Sequence, residues 1–550
     1  MITEMKNKIY IINAALLLII FIVASPLHAI DYYVDQTHAN SSDQNTGSIE
    51  RPWETITKAN QTLIAGDTVY IKAGTYSSYI TPANSGTSSS PITYKSFGTD
   101  SVIVSDTVQG IFLSGKSHII VQGIHFYNLD RFLWLDNASH NIIAYCNFER
   151  MRNYSSWSGS KIYRSSRYNW VHHCQFSKWG YYTNDDKGCV LDIGNENTRT
   201  DLTSYNLLEN SIFFHGGHHI LGVYGMNNVI RNNYFNNEPW SIGTTASDRG
   251  AVMYGNRNLS VAGYAENSGR NLIERNRIAF ASDPPDNIGA SGMSLTTSNN
   301  IVRFNSFYHN VRAGLSMTLT RTYWQNIRHN KIYNNSFMHN GFYSDDYDDH
   351  SNAGISLALY SGSNLIEDNV LKNNIFYNHR KVFDAYVNNH RIPHISRSQL
   401  IKSQIYSSNW DGDTQGNPYF VKANANLNDA DPMDIDSVDL RLKSNSPCID
   451  AGTYLTTISS TNGSGITFRV ADAGYFMDGW GIVQGDEIQL YGSLQKARIT
   501  NINYSTNIIT VDRNLAWTQN QGVSLVYEGS APDIGAYEFL QAPSPSPSTN

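Results

Sequence analysis

The sequence predicts an all-β chain: a right-handed parallel β-helix, that is a solenoid, with a small C-terminal antiparallel β-module. Three observations lead there. The chain has 550 residues, too many for one ordinary compact core, whereas a solenoid escapes that limit because each repeat packs only on its neighbours. One motif recurs through the middle of the chain at intervals of about 22 to 43 residues, and periods in this range mark solenoids. Within each copy apolar and polar residues alternate with period two, as along a half-buried strand. A helical solenoid needs longer segments of period 3.6, and the sequence has none.

The motif is a polar residue, two apolar residues, two variable ones, a small polar residue, any residue and an apolar one. It reads HIIVQGIHF from His118, NIIAYCNF from Asn141, NWVHHCQF from Asn169 and NLLENSIF from Asn206. It returns as NVIRNNYF from Asn228, NLIERNRI from Asn271, NIVRFNSF from Asn300 and NLIEDNVL from Asn364, with a looser QNIRHNKI from Gln325. Aligning the copies stacks Cys146, Cys174, Ser211, Asn233, Asn276, Asn305, Asn330 and Asn369 in one column. Rungs of a solenoid lie about 4.8 Å apart. An Asn at a bend tolerates left-handed angles, and its amide can bond to the next Asn in the stack. The column therefore reads as an asparagine ladder, with the two cysteines as small buried members and a bridge between them left open.

A second strand, often led by Gly, precedes most copies: GCVLDI from Gly188, GAVMY from Gly250, GMSLT from Gly292, GLSMT from Gly314 and GISLALY from Gly354. Stacked in parallel, these strands make one long sheet. Alternation gives it a solvent-facing row of Asp192, Tyr254, Thr296, Thr318 and Tyr360.

Residues 1–29 read as a signal peptide, with Lys6 and Lys8 before the apolar run Ile9 to Val23 and Leu27-His28-Ala29 at the cleavage point. An uncleaved anchor is the alternative. The expectation is a secreted, periplasmic or cell-surface monomer with no membrane span after cleavage. The β-helix and its N-terminal cap are assigned to 30–450, the β-module and closing segment to 451–540, and a Pro/Ser linker to 541–550. The module holds GDEIQL from Gly485, ARITNINYSTNIITVD from Ala497 and GVSLVYEG from Gly522, short alternating strands with turn signals. Capping the solenoid end is its preferred role, and binding carbohydrate the second. Four cysteines without a C-x-x-C argue against a disulfide scaffold and a structural zinc site. A charged fraction of 16 % and a net charge of −7 exclude the basic surface of a nucleic-acid binder. Aromatics reach 12 %, with 35 Tyr, and such rings cover the apolar face of a sugar.

The ends of the chain carry a resemblance. DYYVD, RPWETITKA from Arg51, GDTVYIKAGTY from Gly66 and SPITYKSFG from Ser90 look like the opening cap and first rungs of secreted bacterial right-handed parallel β-helix repeat proteins, of the pectin-lyase-like superfamily. NPYF from Asn417, DLRLKSNSPCIDAG from Asp439 and PDIGAYEF from Pro532 resemble the closing segment of the same group. The resemblance covers most of residues 30–540 and is specific for fold. The fold hosts polysaccharide lyases, glycoside hydrolases, epimerases, esterases and adhesins, and does not choose among them.

Charged residues recur just before the Gly-led strands: Asp185, Asp186 and Lys187; His218 and His219; Asp248 and Arg249; Arg312; Asp348, Asp349 and His350. Stacked rungs bring them to one edge of a groove, with Arg164 one rung earlier. The favoured chemistry is β-elimination on an acidic, uronic-acid-containing polysaccharide. A base removes the proton α to the carboxyl group while a cation neutralises the carboxylate. Lys187 or His218 is the candidate base, Arg249 the neutraliser and Tyr254 the acid, with Asp192 facing out beside them. Arg164, His219, Trp240, Arg312 and His350 are candidate substrate-binding residues. Resemblance to lyases of the alginate and chondroitin type implies a Lys–Arg pair and Ca2+, for which Asp185 and Asp186 are the candidate ligands. The alternative is glycoside hydrolysis by two carboxyl groups, Asp192 with Asp185, Asp186 or Asp248. A third reading is a non-catalytic carbohydrate-binding adhesin or scaffold, against which the long Trp- and Tyr-bearing loops count.

Overall fold

The computed structural model describes residues 29–152, 159–178, 189–195, 201–216, 219–237, 257–261, 269–281, 291–319, 326–342, 352–360, 365–388, 395–423 and 434–540. Among them, three parallel sheets wind round one core. Sheet I has 13 strands, from Asp31–Val34 to Ile405–Ser407. Sheet II has 12, from Gly74–Tyr76 to Trp410–Asp411. Sheet III has 10, from Gln109–Ser114 to Phe383–Val387. A rung visits them in that order, as Ile119–Gln122, His125–Leu129 and Arg131–Asp136 do before the chain returns to sheet I at Ile142–Ala144. Among the described residues no helix is long and apolar enough to cross a membrane.

The alternation predicted from sequence is what closes the coil. Ile119 and Val121 are fully buried while Ile120 and Gln122 face out. The inward side chains stack in files. Phe126, Phe148, Phe176, Phe213 and Phe235 lie face to face at 5.2, 4.7, 4.6 and 5.0 Å, and Phe307, Phe337 and Phe376 continue at 4.6 and 5.0 Å. Burying each such ring contributes roughly 1.5–3 kcal/mol. The N-terminal end is closed by the helix Ile56–Thr62, whose N-cap Thr55 accepts from the Lys58 N–H and whose Ile56 and Ala59 are buried. At the other end the helix Arg397–Lys402 inserts Leu400 into the same core.

The single asparagine column expected from sequence is two ladders. Asn141, Asn169, Asn206, Asn228, Asn271, Asn300, Asn330 and Asn369 form the first, before the strands of sheet I. Each donates its amide to the next at 2.8–3.2 Å. Cys146, Cys174, Ser211, Asn233, Asn276, Asn305, Asn335, Asn374 and Asn409 form the second, between sheets I and II, with amide links of 2.9–3.1 Å from Asn233 onward. Asn330 and Asn369 thus belong to the first ladder. The frames that match the register are NKIYNNSF from Asn330 and NVLKNNIF from Asn369. Nor does the ladder Asn itself take the left-handed angles. The residue before it does: His140, Tyr168, Tyr205 and Asn227 in the first ladder, Asn232, Arg275 and Phe304 in the second. All four cysteines are buried and free, so no bridge joins Cys146 and Cys174.

The strands Thr456–Thr457, Gly463–Arg469, Glu487–Leu490, Lys496–Asn503, Ile508–Trp517 and Gly522–Leu525 form one antiparallel sheet. It does not cap the solenoid end. Leu455, Ile488, Leu490 and Val523 pack on the outer face of sheet I at Leu207, Val229, Leu272, Ile301 and Val370. Arg303 fastens the contact, donating to Glu274 at 2.8 Å on the solenoid and to Asp486 at 2.6 and 2.8 Å on the module. The closing segments cover sheet II in the same way, with Phe420, Val438, Leu440, Cys448 and Ile534 on Phe214, Tyr234, Tyr308 and Ile375. Neither cluster includes a residue of sheet III.

Candidate active site

The outer face of sheet III is therefore where side chains are left for chemistry. Strand register aligns Phe112, Trp134, Lys161, Asp192, Gly222, Ser294, Ser316, Ser356 and Asp384 in one outward row, with the backbone of Ser260 in register between Gly222 and Ser294. Thr296, Thr318 and Tyr360 lie on the same face but two and four residues further along their strands, so they do not share the row of Asp192. The strand after His219–Val223 is Arg257–Val261, which takes the place in the sheet expected of GAVMY. Register sets Arg257 beside His219.

Asp192 points away from the core between buried Leu191 and Ile193, yet it is only 7 % exposed, not solvent-facing. Its Oδ1 lies 3.0 Å from Nε2 of His219, which is 3 % exposed. The Tyr224 hydroxyl lies 3.3 Å from the same Nε2, and the Cys189 Sγ lies 3.5 Å from Nδ1. One imidazole thus joins a thiol, a carboxyl group and a phenol. Gly222 makes the room: a Cβ there would fall 2.8 Å from the His219 Nε2, 2.6 Å from the Tyr224 ring and against the Asp192 carboxyl. Burial by itself lowers the His219 pKa. The Cys189 sulfur and the Asp192 carboxyl outweigh it, so the imidazole stands above its ordinary value. Burial pushes the Cys189 thiol up.

Beside this cluster the row becomes aromatic and basic. Trp134 Nε1 donates to the Tyr163 hydroxyl at 2.8 Å. The Arg131 guanidinium lies 4.7 Å and the Lys161 ammonium 5.9 Å from the Trp134 ring. Lys161 sits between Trp134 and Asp192 in register and has no ion pair among the described residues. Arg164, with 66 % of its side chain exposed, bonds to Asp136 at 3.0 Å.

Of the residues proposed from sequence, the structure brings Asp192 and His219 together. Arg164 lies one residue past the strand Ser160–Tyr163, whereas His219 opens the strand His219–Val223, so the two stand on opposite sides of the row and not on one groove edge. Arg312 is buried at 6 % exposure just before the strand Leu315–Leu319, not presented at a groove edge. Lys187, His218, Arg249, Tyr254, Trp240, His350, Asp185 and Asp186 lie outside the described residues. Lys161, Cys189, Gly222 and Tyr224 were not singled out for a role. A signal for one existed: a lone Gly inside the apolar run HILGV marks a close approach. The described donors here do not suit Ca2+, which takes about six to eight oxygens. Cys189, Asp192 and His219 have ligand atoms within 4.8 Å of one another, but Nδ1 already faces Cys189 and Nε2 faces Asp192 and Tyr224, the geometry of a proton relay.

Comparison with known proteins bears on the fold. Residues 32–189 match the model of the Pel9A-like, right-handed β-helix region, and residues 187–349 that of the right-handed β-helix region. Among solved structures, pectate lyase Pel9A is 15 % identical with a TM-score of 0.46, covering 94 % of this chain and 98 % of that one. A PL6 family polysaccharide lyase, Pedsa3628 from Pseudopedobacter saltans, is 16 % identical with a TM-score of 0.41, covering 71 % and 95 %. A curated relative, the uncharacterized protein YwoF of Bacillus subtilis strain 168, is 39 % identical over 66 residues, which span 12 % of this chain and 14 % of that protein. The chain is a right-handed parallel β-helix protein.

Proposed function

We propose that the outer face of sheet III binds an acidic polysaccharide and cleaves it by β-elimination. The observation that carries this reading is the convergence of Asp192 and Tyr224 on Nε2 of His219, with Lys161, which has no ion pair among the described residues, one rung from Asp192. Rungs about 4.8 Å apart match the length of a sugar unit, so a chain lying along the sheet meets one row residue per sugar. Trp134 offers its face to a pyranose. Lys161 and Arg131, beside that ring, neutralise a uronate carboxylate and so acidify the proton α to it. With its proton held by His219, the Tyr224 oxygen takes the proton α to the carboxylate. The freed electron pair forms a double bond to the β carbon as the bond from that carbon to the glycosidic oxygen breaks. The departing oxygen takes the proton back from Tyr224, and Asp192 holds the imidazolium charge. Burial strengthens each of these contacts. The leader-like residues 1–29 support action outside the cytoplasm, where such polymers lie.

Incubation with polygalacturonate and alginate, followed by the absorbance of unsaturated uronate, tests the reading. Absorbance should rise, and Tyr224→Phe or Lys161→Ala should slow it by roughly 10²–10⁴-fold. New reducing ends without absorbance indicate hydrolysis instead. Full activity in both variants contradicts the proposed site.

A further inference from the structure

We infer a second saccharide site, for an acidic oligosaccharide, in the recess between sheet I and the β-module. The recess has a volume of about 920 Å3 and lies under the loop 479–487, within the range of roughly 300–1,000 Å3 usual for small-molecule sites. It opens on a different sheet from the row of Asp192, so the inference does not depend on the reading of sheet III.

Its floor is an alternating column on the outer face of sheet I, in which Glu209, Arg231, Glu274 and Arg303 are register neighbours. Every carboxyl group in the recess has a partner. Glu209 accepts from Trp170 Nε1 at 2.9 Å and from Arg231 Nε at 2.6 Å. Glu274 and Asp486 are held by Arg303, and Glu487 faces Arg498 at 3.5 Å. The arginines are not all used up. Arg231 gives Glu209 only its Nε, and its terminal nitrogens make no hydrogen bond among the described residues. Arg275 has 58 % of its side chain exposed, lies 3.9 Å from the nearest Glu274 oxygen and stands over the Phe304 ring.

A purely structural ion-pair ladder closes on itself. This one leaves donors in surplus on Arg231 and Arg275, facing a hollow, and guanidinium forks suit carboxylates. The rim supplies rings for the apolar sugar faces: Trp170, half-buried, and Tyr168, stacked on His140 at 5.0 Å. A uronate oligomer matches both features.

The test is isothermal titration of the full-length Lys161→Ala protein, whose sheet III site is impaired, with hexagalacturonate and with uncharged maltohexaose. Hexagalacturonate should bind, and maltohexaose should bind at least about tenfold more weakly. Adding Arg275→Ala should weaken hexagalacturonate about tenfold, the scale of one charge-assisted hydrogen bond, with the melting temperature unchanged because the side chain is exposed. Trp170→Ala, checked for folding by circular dichroism, should also weaken it. No binding, equal affinity for the two oligomers, or binding indifferent to both substitutions overturns the inference. The absorbance assay on the unsubstituted protein reports on sheet III separately.

Discussion

At Gly222 a single hydrogen atom occupies space that three side chains need. Any Cβ there meets Asp192, His219 and Tyr224 together, so Gly222→Ala should lower cleavage by at least about tenfold while the coil stays folded. Activity set against circular dichroism checks this. Gly222 was visible in the sequence as a glycine within an apolar strand; its meeting with Asp192, 30 positions earlier in the chain, was not, because only the stacking of rungs joins them. Lys161 was silent for a simpler reason. An outward Lys on a strand is ordinarily a solvated side chain, and its place between Trp134 and Asp192 is a matter of register. A different residue governs pH. Burial, with Asp533 beside it, pushes Glu538 from 4.5 up to about 8. The folded chain then binds more protons than the unfolded one between those values, so this stability is full below about 4.5 and lost as pH rises to about 8. His219, also raised, acts in the same direction above the ordinary imidazole value of 6.5. Glu538→Gln should flatten the fall in melting temperature between pH 5 and 8, read by calorimetry across that range.

At the scale of the element, five strands of sheet I, from Val229–Arg231 to Val370–Lys372, are each bracketed by two asparagines that do the same work. Asn300 opens Ile301–Arg303 and Asn305 follows it. Each donates to the rung above and accepts from the rung below. The strands and the presence of a ladder were legible from the motif. The number of ladders was not, because N-x-I-x-x-N reads equally well one frame away when both ends of the strand are Asn. Hydrogen bonding fixes the frame. Asn305→Ala leaves the Asn276 donors without their acceptor in the core, which costs about 1–3 kcal/mol for each buried group. Asn305→Ser should cost less, since Ser211 fills the same column and accepts from the Cys174 N–H at 3.1 Å. Denaturant midpoints of the two variants test the order.

For the whole molecule, the placement of the β-module decides which faces are free. The sequence showed the module and its strands, but not the side on which it docks. The apolar positions of sheet I at Leu207, Val229, Leu272 and Ile301 read as ordinary strand alternation, yet they are an interface. With sheets I and II covered, sheet III keeps an outer face rich in polar groups. The docking is held by a buried ion pair. Asp486→Ala leaves Arg303 with Glu274 and Tyr333 but without its bidentate partner, and breaking such a buried pair costs about 3–5 kcal/mol. The variant should melt earlier, and limited proteolysis should release the module before the coil is cut.

Crystals of the Tyr224→Phe protein soaked with hexagalacturonate test the central claim most directly. Sugar density should run along sheet III, with one ring over Trp134 and a carboxylate against Lys161. A well-bound oligosaccharide seen only on other faces, with the row from Trp134 to Gly222 bare, would contradict it.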